Sequence, residues 1–255
     1  IYINSPADNQ LALYASAGVG VNVTPANWDP VHSVLQVGAD GAILSDLATG
    51  ASTSTYITQN AYYDDTDNRW EYIGAASNEA TRWGTYNGLH RFSTAVAGTA
   101  DNAITWLTTM NISAAGEITA PLQPAFLAYK TTAQSNIAVG SDVTVTWDTE
   151  PFDQGADFAS NTFTAPVTGK YQLQVSLRLD NVDSAANYYV IAFLTSNRSY
   201  YAILDPGQFA GDVPYWEMTT STLADMDASD TAYVIVNQAT GTAQTDIDGQ
   251  SGSAT

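Results

Sequence analysis

The residues of this 255-residue chain that could do chemistry are mostly carboxylates. Asp64, Asp65 and Asp67 form one cluster, Asp225, Asp227 and Asp230 a second, and Asp246 and Asp248 a third. Carboxylate oxygens gathered in a loop ligate Ca2+, and Asp225, Asp227 and Asp230 are the candidate metal set. None of the three clusters follows the EF-hand spacing with its central Gly and terminal Glu. The competing reading of each is turn chemistry, because Asp and Asn favour turns. The chain has two histidines, His32 and His90, in different expected hairpins, and no cysteine. A Cys- or His-built zinc site is therefore excluded, and both histidines read as solvated or hydrogen-bonded. There is no Gly-x-Ser-x-Gly elbow and no Gly-rich loop opening a helix. A glycosidase needs only two carboxylates, so polysaccharide cleavage stays open as an alternative. The expectation is a protein with no catalytic residue and no resident cofactor, Ca2+ aside.

Charge narrows the partners. Seven basic residues face 26 acidic ones, a net charge of −19. Such a surface repels phosphate backbones, which excludes nucleic-acid binding. Divalent cations or a basic partner could offset the surplus; solubility through net charge is the plainer account. No run of 18 apolar residues occurs, so no transmembrane helix is expected. The first residue is Ile, which suggests a processed or partial chain. With no cysteine, the redox compartment cannot be read.

These groups must be positioned mainly by strands. Only 13 % of residues are charged, and small polar residues replace the Lys and Glu that cover helices. Leu11 and Leu13, then Val19, Val21 and Val23, alternate in short strands. Val34–Val37, the Gly38-Ala-Asp-Gly41 turn and Ala42–Leu44 read as a hairpin. Its spacing recurs at Ile112–Ile118 and weakly at Tyr14–Val19, which suggests a β-rich elongated body without a regular period. Residues 56–112 are rich in Tyr and Trp, with Trp70 and Tyr72 on one strand face and Glu71 on the other. Surplus Trp and Tyr suit sugar or protein surfaces, or the interior of an oligomer. Residues 77–83 could form at most a short helix. Pro121 and Pro124 mark a boundary. Beyond it, strands lengthen and seven or eight of them suit an antiparallel sandwich or jelly roll. The clearest is Tyr171–Leu179, with apolar residues at every second position after a Pro166/Gly169 turn.

Residues 124–236 resemble a C1q-like domain of the C1q/TNF superfamily. The resemblance is carried by Pro124-Ala-Phe126-Leu-Ala-Tyr129, Val145-Thr-Trp147-Asp148 and Asp157-Phe158. It continues in Asn161-Thr-Phe163-Thr-Ala-Pro166-Val-Thr-Gly169-Lys-Tyr171 and Asp230-Thr-Ala-Tyr-Val-Ile-Val236. Phe126, Trp147, Phe163, Pro166, Gly169 and Tyr171 are its signature. Ser229 stands where that family usually has Gly. The family's closing Phe-Ser-Gly strand would begin about where the chain stops, at Gly252-Ser-Ala-Thr255, and no collagen repeat precedes residue 124. The preceding part resembles the distal segment of bacteriophage tail fibres, on Asn60–Tyr72, Ala103–Ile112 and Gly116–Pro121.

The resemblances imply an all-β homotrimer. Residues 1–120 would be a shaft and neck joined to other virion proteins through the N-terminal side, and residues 124–255 a jelly-roll head. The implied function is non-enzymatic attachment of a virion fibre to a host-surface glycan or protein, outside the cell and without membrane insertion. Avidity would come from three linked sites. The alternatives are a structural or head-decoration fibre without a receptor role, and a polysaccharide-degrading tailspike.

Overall fold

The computed structural model describes residues 18–50, 53–74 and 78–249. It is all-β, with one short 3-10 turn at Pro206–Gln208 among the described residues. The expected strand at Leu11–Leu13 and the weak repeat from Tyr14 lie outside or at the edge of that range. The chain divides into two compact units, Ile1–Leu122 and Gln123–Thr255.

The first unit is one eight-stranded sheet with a small cap. Its strands are β1 (Val19–Val21), β2 (His32–Val37), β3 (Gly41–Asp46), β4 (Ser54–Gln59), β7 (Asn78–Tyr86), β8 (Leu89–Gly98), β9 (Leu107–Ile112) and β10 (Ile118–Thr119). The cap is the pair β5 (Tyr62–Tyr63) and β6 (Trp70–Glu71). Spatial order follows chain order; β1 joins β2 in parallel and the other neighbours are antiparallel. Residues 78–83 are strand, not helix. Pairing with both β4 and β8 satisfies their backbone, which an isolated helical turn could not do.

One sheet face carries the core: Trp28, Val34, Leu44 and Tyr62 in one cluster, Ala61, Tyr72, Ala80 and Ala95 in the next. Two glycines make room for rings. A Cβ at Gly84 would run into the Tyr56 ring, and one at Gly98 into the Tyr72 ring. Glu71 is buried on this side, not wet, because the Tyr62 hydroxyl donates to it at 2.9 Å. Both copies of the Gly-centred repeat are hairpins, but their registers differ: Val37 faces Gly41, whereas Ile112 faces Ile118. They make two turns of one sheet rather than units of a stack.

The second unit is a jelly-roll sandwich. Its strands are β11 (Ala125–Tyr129), β12 (Asp142–Thr144), β13 (Thr149–Gln154), β14 (Phe158–Ala159), β15 (Thr162–Thr164), β16 (Gly169–Val182), β17 (Tyr189–Thr195), β18 (Ser199–Leu204), β19 (Val213–Met226), β20 (Thr231–Gln238) and β21 (Asp246–Ile247). One sheet has the order β14-β15-β20-β17-β18, with β12 also on β20; a second has β19-β16-β21; and β11 pairs with β13 in a separate two-stranded sheet. The chain changes sheet at β15–β16, β16–β17, β18–β19, β19–β20 and β20–β21. That alternation distinguishes a jelly roll from a meander. The core between the sheets takes the alternate residues Leu173, Val175, Leu177 and Leu179 of β16. They meet Phe163, Tyr189, Ile191, Phe193, Val234, Val236 and Ile247.

Candidate functional site

Each acidic cluster has a protein-internal occupation. In the first unit, the Asp64 carboxylate accepts from the backbone N–H groups of Thr66 and Asp67, both at 2.7 Å. The Asp67 donor, followed by the Thr66 donor, holds its pKa below the usual carboxylate range against the effect of desolvation. Asp64, Asp67 and Glu71 bring oxygens within 4.8 Å of one another. The Arg69 guanidinium bridges two of them, at 2.8 Å to Asp67 and 2.7 Å to Glu71. The positive charge an acidic group needs is thus supplied by the chain. The Tyr62 hydroxyl lies 2.9 Å from Glu71 and 3.1 Å from Asp101, two acceptors for its one proton. Burial, then the hydrogen bond to Glu71, raises its phenol pKa far above the ordinary value.

Of the candidate set, Asp225 lies near the end of β19, opposite Lys170 on β16, and Asp227 and Asp230 lie in the link from β19 to β20. Asp225 pairs with Arg198 at 2.8 Å and accepts from the Tyr200 hydroxyl at 3.3 Å. Asp230 accepts from Asn197 Nδ2 at 2.7 Å and from the Asp227 N–H at 2.8 Å. Asp227 faces Thr168 at 3.4 Å. The three side chains thus face different partners, and each fastens a turn. Asp246 receives the Asn136 N–H at 2.6 Å, and Asp248 lies 2.7 Å from Arg178. Two further carboxylates act the same way. Asp148 takes the Thr131 and Thr132 N–H groups, and the Thr131 donor leads in lowering its pKa to about 2. At Asp183 burial pushes the pKa up, but the N–H groups of Ala243, Ala185 and Thr242 outweigh it and the net direction is down.

Both histidines are used structurally. His32 Nε2 lies 3.0 Å from Asp46, and the His90 ring stacks on Trp83 at 6.2 Å.

The signature residues Phe126, Trp147, Phe163, Pro166, Gly169 and Tyr171 surround one end of the sandwich. Phe126 stacks on Phe158 at 4.6 Å and on Phe163 at 5.4 Å; Tyr171 leans on Phe163 at 5.2 Å. Pro166 lies in the exposed turn that Gly169 closes as the first residue of β16, and the Tyr171 hydroxyl donates back to the Val167 carbonyl. Trp147 is fixed by its N–H donating to Asn161 Oδ1 at 2.7 Å. Ser229 has φ 75°, the left-handed region that favours Gly. Together the rings line a groove of about 760 Å3 bounded by β11, β16 and β20.

Two features had no sequence signal of their own. The first is Arg82, whose guanidinium carbon lies 4.4 Å from the Trp106 ring centre, 5.1 Å from Trp70 and 5.5 Å from Tyr56. Burial pushes its pKa down to about 10, and the three aromatic faces offer the buried cation favourable contacts. The second is the outer face of the first unit's sheet. Cross-strand pairing aligns Val19, Leu35, Ile43, Ile57, Trp83, Phe92 and Met110 in one row. Leu35 is 38 % exposed, Ile43 47 %, Ile57 44 % and Trp83 39 %. The rows beside it run Ser33-Ser45-Thr55-Thr85-His90 and Val37-Gly41-Gln59-Thr81-Thr94-Leu107. None of these positions holds Asp, Glu, Lys or Arg, in a chain with 26 acidic residues.

No protein-family model matches the chain, and a comparison with curated proteins finds no match. Among solved structures, the globular domain of zebrafish complement 1qA protein is similar over 49 % of this chain and 91 % of that one. The identity is 15 % and the TM-score 0.37. An exo-beta-1,3-galactanase from Phanerochaete chrysosporium, solved with galactose, aligns over 85 % of this chain and 67 % of that one, with 11 % identity and TM-score 0.20. Neither score is high enough to carry an argument; the jelly-roll assignment rests on the strand order itself.

Proposed function

We propose that the chain is a non-enzymatic, self-associating binding scaffold that acts as a homotrimer on a virion fibre and attaches it to a host-surface glycan or protein. The observation that carries self-association is the three uncharged rows on the outer face of the first unit. With Val21, Val37 and Leu107 added, its exposed apolar residues leave roughly 600 Å2 uncovered per chain, approaching the ~800 Å2 per partner of a standard interface. Chains of charge −19 repel one another, so contact is least costly on the three uncharged rows, beyond which lies the exposed Glu79 of β7. The number three and the virion setting rest on the resemblance of residues 124–236 to C1q-like heads and of the preceding part to tail fibres. Contact with other virion proteins would fall on the N-terminal side.

The experiment has two arms. Light scattering of the intact chain should give a trimer; a stable monomer overturns self-association. Incubation with host-surface polysaccharide should give binding without shortening of the polymer; shorter chains overturn the non-enzymatic reading and favour a tailspike.

A further inference from the structure

Arginine in this chain has carboxylates in plenty, and three of the five arginines use them. Arg69, Arg178 and Arg198 each pair with at least one. Arg82 and Arg91 pair with none among the described residues. These two are also neighbours. Arg82 stands opposite Ser93 across the β7–β8 ladder and Arg91 opposite Gly84, so both project from the same face of the sheet, the one that carries the core. The Arg91 charge joins burial in lowering the Arg82 pKa. Like charges on adjacent strands are destabilising, and nothing in the chain offsets this pair.

Both guanidinium forks are held ready. The Arg82 guanidinium lies against Trp106, Trp70 and Tyr56, and of its nitrogens only Nε is sealed from solvent without a partner. Arg91 is exposed; its Nε donates to Asn111 Oδ1 at 3.2 Å, which fixes the fork and leaves its terminal nitrogens free. Ser93 Oγ, opposite Arg82, and Trp106 Nε1, on the ring nearest the guanidinium, are buried and also lack partners. Tyr86, two residues beyond Gly84 on the same face, is exposed.

We propose that Arg82 and Arg91 form a binding site for the carboxylate of an acidic sugar, a uronic acid residue of a surface polysaccharide. A guanidinium fork matches a carboxylate with two parallel hydrogen bonds. The exposed Tyr86 ring, apolar with a polar tip, suits the C–H face and hydroxyls of the same sugar. A sugar acid fits this place better than a carboxylate of a second copy. Trp83 and Phe92, which alternate with the two arginines, belong to the self-associating rows, so those rows lie on the opposite face of the sheet. The inference rests on the glycan reading of the proposed function and names its sugar class.

The test uses the intact chain, an oligosaccharide of galacturonic acid and its full methyl ester, in which the same sugars carry no charge. Calorimetry at low salt should show saturable binding of the acid and binding of the ester weaker by about tenfold or more, the equivalent of about 1.4 kcal/mol. Added salt should weaken the acid and leave the ester unchanged. Arg91→Gln, at an exposed position, should weaken the acid by about tenfold or more, again about 1.4 kcal/mol, without affecting the ester. Arg82→Gln should act in the same way; if it does not fold, Arg91→Gln keeps the test decisive. Equal binding of acid and ester, or acid binding unchanged in Arg91→Gln, overturns the site and leaves glycan attachment standing. Absence of acid binding also overturns it, and the host-polysaccharide arm above then decides glycan attachment separately. A lower mass of Arg91→Gln in light scattering overturns it too, because a carboxylate of a second copy is then the occupant.

Discussion

Replacing Ile43 and Ile57 together by Ser should dissociate the protein without unfolding it. The two side chains lie opposite each other on β3 and β4, and Trp83 follows Ile57 on β7. At 47 % and 44 % exposure they leave roughly 180 Å2 uncovered, worth about 4 kcal/mol per chain at ~25 cal/mol per Å2 if a partner covers it. Each new hydroxyl held in a dry contact costs about 1–3 kcal/mol more. With both terms the loss is about 6 kcal/mol or more per chain and about 18 kcal/mol or more over three chains, above the ~16 kcal/mol that two association steps of micromolar affinity supply. Sedimentation velocity across the micromolar range should show a monomer. Circular dichroism should keep the β spectrum, since neither residue belongs to a core cluster, while the melting point falls because the stabilisation that assembly supplied is gone. The control Ile203→Ser, exposed on β18 of the second unit, should keep the wild-type mass. A double variant that sediments as wild type refutes the assignment of this face.

Three further outcomes follow from local geometry. Ser229→Gly should raise stability by about 0.5–1 kcal/mol in chemical denaturation, because φ 75° strains any side chain with a Cβ; no gain would mean that the Ser229 side chain offsets the strain. Gly84→Ala should cost about 1–3 kcal/mol, since the new methyl meets the Tyr56 ring in a packed face; a neutral result would show that the ring can move. Asp148→Asn should melt earlier than wild type at neutral pH. The folded pKa of about 2 lies below the ordinary 3.8, so the stabilisation is complete above pH 3.8. It is lost as pH falls through about 2, and melting curves of the two proteins should converge there. A gap that persists below that pH removes the carboxylate charge from the explanation.

What could be read beforehand depended on whether one strand carried the signal alone. β16 was legible because Leu173, Val175, Leu177 and Leu179 alternate without interruption, and all four are buried. Its partner β19 was not: Pro214, Tyr215, Trp216 and Glu217 in sequence give no period, although the strand pairs with β16 along nearly its whole length. Pairing supplied what side-chain pattern lacked. The same holds for residues 78–83, where a suggestion of helix gave way to two-sided pairing. The acidic clusters were visible as composition, yet their use depended on distant residues. Arg198 and Asn197 reach Asp225 and Asp230 from another turn, and Arg69 sits between Asp67 and Glu71. The outer apolar row draws one residue from each of seven strands, so no window of sequence contains it. At Ser229 the sequence shows only a departure from the Gly of the resembled pattern; the left-handed backbone, φ 75°, comes from the structure.

The central claim is that the uncharged rows of the outer sheet face join copies of this chain. Light scattering coupled to gel filtration of the intact chain, at micromolar concentration and physiological salt, tests it most directly. A mass three times that of the 27.1 kDa chain is the predicted result. A single peak at the mass of one chain, unchanged on concentration, would contradict it.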